Sequence, residues 1–417
     1  MTDLKNQHDI IIIGAGIIGL SAGLALQRAG RTVTIVDRTG VAAEASAGNA
    51  GAFAFSDIEP LATPGTFRNA PKWLLDPLGP LSIPPAYWLK IAPWMWRFLR
   101  ASRHDRYTAS LKAQADLMQL SEAALERQIK FLNAESLVRR EGQLQLYEGE
   151  KQFKASLEGW ELRQQHNIEF KLLKSPQAIA DIQPGLSPRF THAAFTPNWL
   201  NCSDPSIWAN HIAKEFVKRG GIIDIRQVES LVQKSGKICL MTSAGELQAK
   251  QVVVAAGAWS HHLAQTLGDK IPLETERGYN TTLPAGAFDL KTHLTFGAHG
   301  FVITKIGDGI RVGGAVELGG LKLAPNYQRA EILLNKAASF LPALKTQGGK
   351  QWMGFRPSMP DSLPVISRSP KAHNVIYAFG HGHLGLTQAA GTAELVTTLI
   401  NETKPKISLK PFLATRF

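Results

Sequence analysis

Residues 8–30, HDIIIIGAGIIGLSAGLALQRAG, decide the fold class of this chain. The apolar run 8–13 predicts a fully buried strand, and residues 14–29 predict a helix that ends at Gly30. A second strand is predicted at 32–36. These elements form one βαβ unit, which indicates an α/β fold.

Glycines occupy the turn between the predicted strand and helix in the pattern Gly14-Ala-Gly16-Ile-Ile-Gly19, and Asp37 ends the second strand. Gly14 permits a tight turn, Gly16 lets a pyrophosphate approach the backbone at the positive helix N-terminus, and Gly19 allows close helix–strand packing. The Asp37 carboxylate can accept hydrogen bonds from ribose hydroxyls. Because both strands and the acidic residue are in register with the glycines, the sequence predicts a dinucleotide site.

Composition and charge limit which other classes of function are expected. The chain has 417 residues, of which 44% are hydrophobic and 19% charged, as expected of a soluble protein with two domains. Its net charge is +12, but the basic residues are scattered, so no nucleic-acid partner is expected. Cys202 and Cys239 have neither a metal-ligand nor a dithiol spacing, so no metal site is expected. The uncharged stretch 10–26 contains the glycine motif and is short for a membrane span, and we expect a cytoplasmic protein.

Further elements follow from periodicity and composition. Residues 108–133 carry apolar side chains at helical spacing and predict an amphipathic helix that covers a sheet. Residues 60–96 are rich in proline and tryptophan and predict a long loop region with short helices. Strands are predicted at 222–225, 230–234, 237–242 and 251–257, and within 300–314.

Two features favour FAD over NAD as the dinucleotide. No second βαβ unit follows directly, although the sheet of a classical NAD-dependent dehydrogenase requires one. Instead the chain continues into Glu44-Ala-Ser46-Ala-Gly48-Asn49-Ala-Gly51, small residues that permit close backbone approach to an extended ligand. The strand end Ala255-Ala256-Gly257 also follows a short antiparallel section, an arrangement typical of FAD-binding proteins.

A second glycine-rich turn, Gly380-His-Gly382-His-Leu-Gly385, joins a predicted strand at 375–379 to a predicted helix at 386–400. No acidic-ended strand follows this helix, so the turn does not predict a second dinucleotide. We expect it to direct the positive end of the helix at the pyrimidine edge of the flavin, where negative charge accumulates on reduction.

Together these segments resemble a known family, the D-amino acid oxidase-like FAD oxidoreductases, and within it the bacterial D-amino acid dehydrogenase branch. The resemblance spans essentially the full chain. It rests on the first glycine motif with Asp37, and on the segments 46–51, 252–257, Arg277-Gly-Tyr279, Gly354-Phe-Arg356-Pro357, Pro364-Val-Ile366 and 380–387.

The resemblance implies an α/β (α+β) two-domain fold, with a Rossmann-like FAD-binding domain and a substrate domain built on a mixed, largely antiparallel sheet. It assigns 1–60, 195–265 and 345–417 to the FAD-binding domain, and 61–194 and 266–344 to the substrate-binding domain. The implied cofactor is FAD, bound non-covalently because neither cysteine lies in a segment expected near the ring. The residues expected to bind it are Gly14, Gly16, Ile17, Ile18, Gly19, Asp37, Arg38, Ser46, Asn49, Gly51, Val228, Ala256, Gly257, Gly382, His383, Leu384, Gly385, Leu386 and Thr387.

The resemblance also implies the chemistry. In this family the arginine of the G-x-R-P segment binds the substrate carboxylate, and Arg356 matches it. A guanidinium suits this role because its planar fork holds a carboxylate in a bidentate pair. The implied reaction is oxidative deamination of a small amino acid, with a D-amino acid favoured, by hydride transfer from the α-carbon to flavin N5. The electrons are then expected to pass to a quinone or another carrier.

One departure from the family concerns the second contact to the carboxylate. Oxidase members carry a tyrosine at the start of the strand before the R-x-x-G-G turn, whereas this chain has Phe301 there. Tyr279 or His383 is our candidate for the missing contact. Each also has a structural interpretation, since Tyr279 can be satisfied by the backbone and His383 can cap its turn. His381 is expected to be structural.

Three alternatives stay open at the level of the sequence. The substrate can be a cyclic or N-substituted amino acid, such as a proline derivative, sarcosine or glycine. A function of another class is that of a tRNA-modifying flavoprotein, which the positive charge permits. The tryptophans of the 60–96 section also allow peripheral contact with the inner face of the cytoplasmic membrane.

Overall fold

The computed structural model describes residues 7–65, 81–234 and 236–417. Its strands are β1 (Gln7–Ile13), β2 (Val33–Asp37), β3 (Ala52–Phe53), β4 (Leu81–Ser82), β5 (Val138–Arg139), β6 (Gln143–Glu148), β7 (Lys171–Leu173), β8 (Phe190–Thr196), β9 (Leu200–Cys202), β10 (Ile222–Ile225), β11 (Val228–Lys234), β12 (Lys237–Thr242), β13 (Gly245–Val254), β14 (Glu274–Leu283), β15 (His293–Phe296), β16 (Phe301–Ile306), β17 (Gly309–Leu318), β18 (Lys350–Ser358), β19 (Val365–Arg368) and β20 (Val375–Phe379). Its α-helices are α1 (Ile17–Arg28), α2 (Trp88–Ala101), α3 (His104–Leu132), α4 (Gly149–Gln165), α5 (Pro176–Ala180), α6 (Pro205–Lys218), α7 (Ser260–Thr266), α8 (Gln328–Phe340) and α9 (Gly385–Ile400).

The predicted βαβ unit forms the centre of an eight-stranded sheet. Strand β1 pairs in parallel with β2 on one side and with β13 on the other, and Ile10, Ile11 and Ile12 are fully buried. Strand β13 is long enough to pair with two further strands along its other edge. Its first half pairs antiparallel with β12, and its last residues pair in parallel with β20. The isoleucine run is therefore buried on both faces, as a central parallel strand requires.

The three parallel strands β1, β13 and β20 end at the same edge of this sheet, because neighbouring parallel strands share their direction. Helix α1 begins just beyond β1, and α9 begins just beyond β20. The two helices pack against each other along one face of the sheet. Ligands of open α/β sheets bind in the crevice at such a carboxyl edge.

A nine-stranded sheet supplies the second layer, with β18, β14, β17, β16, β15, β6, β8 and β7 in that order and β4 beside β17. Its pairings are antiparallel except for β15 with β6 and β17 with β4. A small sheet of β3, β9 and β5 lies apart from both. The prediction of a Rossmann-like sheet combined with a mixed, largely antiparallel sheet is confirmed.

The predicted domain boundaries stay a prediction, and three elements bear on them. Strand β18 lies in the nine-stranded sheet, although residues 345–417 were assigned to the FAD-binding domain. Strand β8 crosses the predicted boundary at 194/195. Helix α3 shares a hydrophobic core with β1 and α1, although it falls in the predicted substrate-binding domain.

Two local predictions need correction. Helix α3 exists, but its main partner is α9 and not the strands of a sheet. The 60–96 section was expected to hold only short helices, yet α2 runs through Pro93. A proline at this position removes the hydrogen bond to the carbonyl of Leu89, and Leu89 is exposed, so water can replace that donor. Trp73 and Pro71, Pro77 and Pro80 of the same section lie outside the described residues.

Among residues 7–65, 81–234 and 236–417, no helix combines the length and the apolar character needed to cross a membrane.

The contact between α3 and α9 depends on Gly391. A Cβ at this position would overlap the side chain of Ser121 and lie 2.9 Å from its Cα. Alanine normally favours a helix over glycine, but here we expect Gly391→Ala to lower the free energy of unfolding by roughly 1 to 3 kcal/mol through overpacking. Chemical denaturation measures this change.

Thr398→Ala, on the same helix, is the matched control and should leave stability nearly unchanged. Adding Ser121→Gly to Gly391→Ala should recover part of the loss, because it removes the hydroxyl and Cβ that clash. A Gly391→Ala protein as stable as the wild type would contradict this account of the helix crossing.

Candidate functional site

A cavity of about 900 Å³ opens at the carboxyl edge of the parallel strands and extends over one face of the nine-stranded sheet. Most of the residues expected to bind cofactor or substrate line it. They are Gly14, Gly16, Ile17, Ile18, Asp37, Arg38, Ser46, Asn49, Val228, Ala256, Gly257, Tyr279, Arg356, Gly382, His383, Leu384, Gly385, Leu386 and Thr387. Gly19 and Gly51 do not line it.

The first glycine turn is built by close backbone contacts. Gly14 has a φ of +115°, and a Cβ there would overlap the carbonyl oxygen of Ala255 at the end of β13. A Cβ on Gly19 would overlap the carbonyl oxygen of Gly14. These two glycines therefore allow helix α1 and strand β13 to approach the turn, as the spacing of the motif predicts.

The N-terminus of α1 faces the cavity without a capping side chain of its own. Gly16 is the N-cap residue, and no acidic residue lies in the first turn. Ser46 reaches in from the 44–51 segment, and its Oγ accepts a hydrogen bond from Ile17 N at 3.0 Å. The helix end is therefore open to an anion, which its dipole and free N–H groups favour.

Asp37 holds the turn together and still has acceptor capacity. Its Oδ2 accepts from Ala15 N at 2.7 Å, and its Oδ1 accepts from the backbone N–H groups of Thr39 and Gly40, both at 2.8 Å. An ionised carboxylate offers about four lone-pair sites. Oδ2 therefore keeps a site for a ribose hydroxyl. Next to it, the Arg38 guanidinium lies 3.6 Å from the centre of the Trp259 ring and pairs with Glu44 at 2.5 Å.

The second glycine turn brings the start of α9 to the same cavity. Gly380 and Gly382 have φ values of +87° and +54°. Thr387 Oγ1 accepts from Ala54 N at 3.0 Å, which ties α9 to the strand after the 44–51 segment. His381 is buried, and its Nε2 lies 2.9 Å from Thr392 Oγ1. Burial lowers the pKa of His381 to about 3, so its ring is neutral.

The 44–51 segment lies on the nine-stranded sheet and is held there by three side chains that the sequence did not single out. Asn280 Nδ2 donates to Gly48 O at 3.0 Å, and Arg311 Nη1 donates to Ala47 O at 3.1 Å and to Asn49 O. The ring of Trp352 packs so closely on Gly48 that a Cβ there would overlap it. No local pattern signals these contacts, because each partner is far away in the chain.

Arg356 faces the cavity from β18. Its guanidinium lies over Gly278 of β14, where a Cβ would overlap it, and Nη1 donates to Ala315 O of β17 at 3.0 Å. Among the described residues no carboxylate forms an ion pair with it. The remaining N–H groups of the fork are therefore available to a ligand carboxylate.

Tyr279 is not brought to Arg356 through its hydroxyl. Arg356 stands directly opposite Glu276 in the pairing of β14 with β18, whereas Tyr279 stands opposite Met353, so the two side chains point to opposite faces. The Tyr279 hydroxyl donates to Glu317 Oε2 at 2.5 Å and accepts from Asn326 N at 3.0 Å. These partners agree with the structural interpretation of Tyr279.

His383 lies at the cavity beside Arg356 and is paired with Asp57, a residue that the sequence analysis missed. The two side chains are 3.1 Å apart between Nε2 and Oδ2. Burial lowers the pKa of His383, but the hydrogen bond and charge of Asp57 and the charge of Glu276 outweigh it, so the pKa is raised. Burial raises the pKa of Asp57, but its bond to His383 and the charges of His383 and Arg163 outweigh that, so it is lowered. The two shifts favour the charged form of each partner.

Phe301 stands at the edge of the cavity, and its ring belongs to an aromatic cluster. It stacks on Phe296 with ring centres 4.7 Å apart and lies near Phe340. His293 and Trp199 also line the cavity, and their ring nitrogens are buried with no hydrogen-bond partner in the part of the chain that the structure describes. Burial lowers the pKa of His293 to about 3. This end of the cavity is neutral and can donate hydrogen bonds to a polar ligand.

Cys202 lies nearer to the 44–51 segment than its place in the sequence suggests. Its N–H donates to Gly51 O at 2.7 Å, but its side chain does not line the cavity. Burial raises the pKa of the Cys202 thiol, so a nucleophilic thiolate is disfavoured there. A non-covalent cofactor stays our prediction.

Residues 9–399 match the family described as FAD dependent oxidoreductase (DAO). The chain belongs to this family. It is 32% identical to a D-amino-acid oxidase of Bradyrhizobium diazoefficiens, with 98% of each chain covered, and 30% identical to a D-amino acid dehydrogenase of Vibrio cholerae, with 96% of each covered. Its fold is similar to that of glycine oxidase from Geobacillus kaustophilus, with a TM-score of 0.80 over 99% of each chain at 19% identity.

FAD is therefore the cofactor of this oxidoreductase, and the cavity fits it. The start of α1, which has no acidic residue in its first turn, suits a pyrophosphate. Asp37 keeps an acceptor site for a ribose, and the glycines of both turns leave room for close backbone approach. The predictions of family, fold class and cofactor are confirmed. The roles of the individual site residues stay predictions.

Asp57→Asn should lower the pKa of His383, because it removes the negative charge that raises this pKa, while burial and the charge of Arg356 still lower it. NMR titration of the His383 ring proton, assigned with His383→Asn, measures the shift. Because the pKa of His383 is raised on folding, its contribution to stability is fully present below pH 6.5 and is lost as the pH rises through the raised pKa. Because the pKa of Asp57 is lowered on folding, its contribution is present above pH 3.8 and is lost as the pH falls through the lowered pKa. The stability difference between wild type and variant should be largest between these two values.

Asp116→Asn is the control, because Asp116 forms an ion pair with Lys112 on the surface. An unchanged His383 pKa in Asp57→Asn would show that the two groups are not coupled.

Proposed function

We propose that this flavoenzyme oxidises the α-amine of a small amino acid, with a D-amino acid favoured, and passes the electrons to a quinone or another carrier. The observation that carries the proposal is Arg356, a cationic fork that faces the cavity without a carboxylate partner among the described residues. Both relatives named above act on D-amino acids by their names. A substrate with a free carboxylate satisfies the guanidinium.

The side chains of this chain would do the binding and positioning. Bound FAD would supply the acceptor for the α-hydrogen, which leaves the substrate as hydride once the amine has lost its extra proton and its lone pair can form the C=N bond. Arg356 holds the substrate carboxylate, and its contacts with Gly278 and Ala315 fix the plane of the fork. Holding the α-carbon in one orientation is the main contribution expected of the protein. His383 lies nearby, and its raised pKa favours a positive charge that would attract the carboxylate.

His383 is the better candidate for the second carboxylate contact. Tyr279 uses its hydroxyl on the opposite face of β14, whereas His383 lines the cavity with a side chain that is 36% exposed. Its Nε2 is held by Asp57, so Nδ1 is the ring nitrogen free to donate.

The electron acceptor is proposed to be reached at a membrane surface. Helix α2 exposes Trp88, Leu89 and Trp96, and Leu89 is 92% exposed. The same helix carries Lys90, Arg97 and Arg100, so an anionic lipid surface complements its charge. Its buried side packs on Leu318 and Val316, and Val316 also lines the cavity.

Arg356→Ala should keep FAD and lose apparent substrate affinity by about 2 to 5 kcal/mol, because a charge-assisted pair loses one partner. That corresponds to a weakening of about 30-fold or more. The measurement is anaerobic bleaching of the visible flavin band with a panel of D-, L- and N-substituted amino acids. This panel also separates primary amino acids from proline derivatives and sarcosine.

Lys350→Ala, an exposed position on the same strand, is the control and should behave like the wild type. If no amino acid bleaches the wild-type flavin, the proposed function is wrong. If Arg356→Ala binds its substrate normally, the assignment of Arg356 to the substrate carboxylate is wrong. Stoichiometric peroxide formation in air would show that the electron acceptor is oxygen and not a quinone.

Leu89→Glu with Trp96→Ala should weaken binding to vesicles of anionic phospholipid, measured by flotation. Ile207→Glu changes an exposed apolar residue on α6 and is the matched control. Wild-type protein that stays away from anionic vesicles would contradict the membrane part of the proposal.

A further inference from the structure

Glu276 is a buried carboxylate at the candidate substrate site. It lies on β14, directly opposite Arg356 of β18, so the two side chains share one face of the sheet. Its exposed fraction is 5%, and it lines the cavity. No sequence motif pointed to it.

Glu276 differs from the other buried carboxylates in having no bonded partner among the described residues. Glu317 is paired with Arg277 and bonded to Tyr279, and Asp269 accepts hydrogen bonds from Ser369 and Tyr377. Glu276 has neither a hydrogen bond nor an ion pair there. A buried charge without a partner is destabilising. The position of Glu276 in the cavity therefore points to a ligand that supplies this partner.

The charges around Glu276 define what that ligand must carry. Arg356 and His383 both feel its negative charge, although neither is within ion-pair distance of it. Asp57 occupies the Nε2 of His383. A cation that enters between these groups is attracted by Glu276, while an anion is attracted by Arg356.

An α-amino acid carries both charges one carbon apart. Because Arg356 and Glu276 share one face of the sheet, a carboxylate held by Arg356 would leave an amino group one carbon away on the side of the cavity that Glu276 lines. We propose that Glu276 accepts hydrogen bonds from the α-amino group of the substrate, so that Arg356 and Glu276 together recognise the zwitterion. This inference rests on the proposed function.

The pair explains a specificity that Arg356 lacks alone. A guanidinium binds any small carboxylic acid, including hydroxy acids and acids without an amine. Glu276 repels a second negative charge at this position and favours an amine, primary or secondary. The substrate class is therefore an α-amino acid with a basic nitrogen, in which the amine supplies part of the binding.

Glu276→Gln tests the inference, because it removes the charge and keeps the size. The probes are the amino acid that bleaches the flavin fastest and its analogue without the amine, for example D-alanine and propionate. Apparent affinity for the amino acid comes from rapid anaerobic bleaching, and affinity for the analogue comes from the change in flavin absorbance. We expect the amino acid to bind at least tenfold more weakly and the analogue to bind as well as before or more tightly.

Glu274→Gln is the matched control. Glu274 lies two residues away on the same strand, but its carboxylate accepts from Tyr87 Oη at 3.0 Å and it does not line the cavity. Both affinities should stay as in the wild type. If Glu276→Gln does not fold with FAD, Glu276→Asp is used instead. It should lower the affinity for the amino acid but not for the analogue, because the shorter side chain moves the carboxylate away from the amine.

The inference is overturned if the variant binds the amino acid as well as the wild type, or if both probes weaken equally. If amino acids still bleach the wild-type flavin, either of these results leaves the proposed function intact. If no amino acid bleaches the wild-type flavin, the proposed function is contradicted, and so is the inference that rests on it.

Discussion

The structure depends on the common direction of three parallel strands. Because β1, β13 and β20 run side by side in the same sense, their carboxyl ends meet at one edge. The helices that follow β1 and β20 then present two N-termini to one cavity, and neither has an acidic residue in its first turn. Unsatisfied N–H groups and aligned dipoles make such an edge favourable to a charged, extended dinucleotide.

Close approach of backbone to backbone is the second requirement of this edge. Gly14 and Gly19 let α1 and β13 contact the turn, and Gly48 lets the 44–51 segment contact Trp352 of the other sheet. Arg311 and Asn280 fix that segment by donating to its carbonyl groups. The cavity therefore has walls from both sheets, and its shape depends on hydrogen bonds between segments that are distant in the chain.

Charge at the substrate end is arranged in balanced pairs. Asp57 raises the pKa of His383, and Glu276 faces Arg356 across adjacent strands. Each cation therefore has a nearby anion, but Arg356 and Glu276 are too far apart to satisfy each other. In the proposed arrangement a zwitterion places its carboxylate on Arg356 and its amine on Glu276, so that neither buried charge is left without a partner.

The sequence by itself determined the βαβ unit, both glycine turns and the dinucleotide site, because these depend on residues that are close in the chain and on backbone conformations that glycine allows. It also marked Arg356, through a short segment shared with a known family. Only the tertiary structure decided the partners. Asp57 meets His383, Tyr279 turns to Glu317, and Glu276 comes to stand beside Arg356 because strand register and sheet order bring distant residues together. A one-residue difference in register would send Glu276 to the other face, and no local pattern of residues encodes that choice.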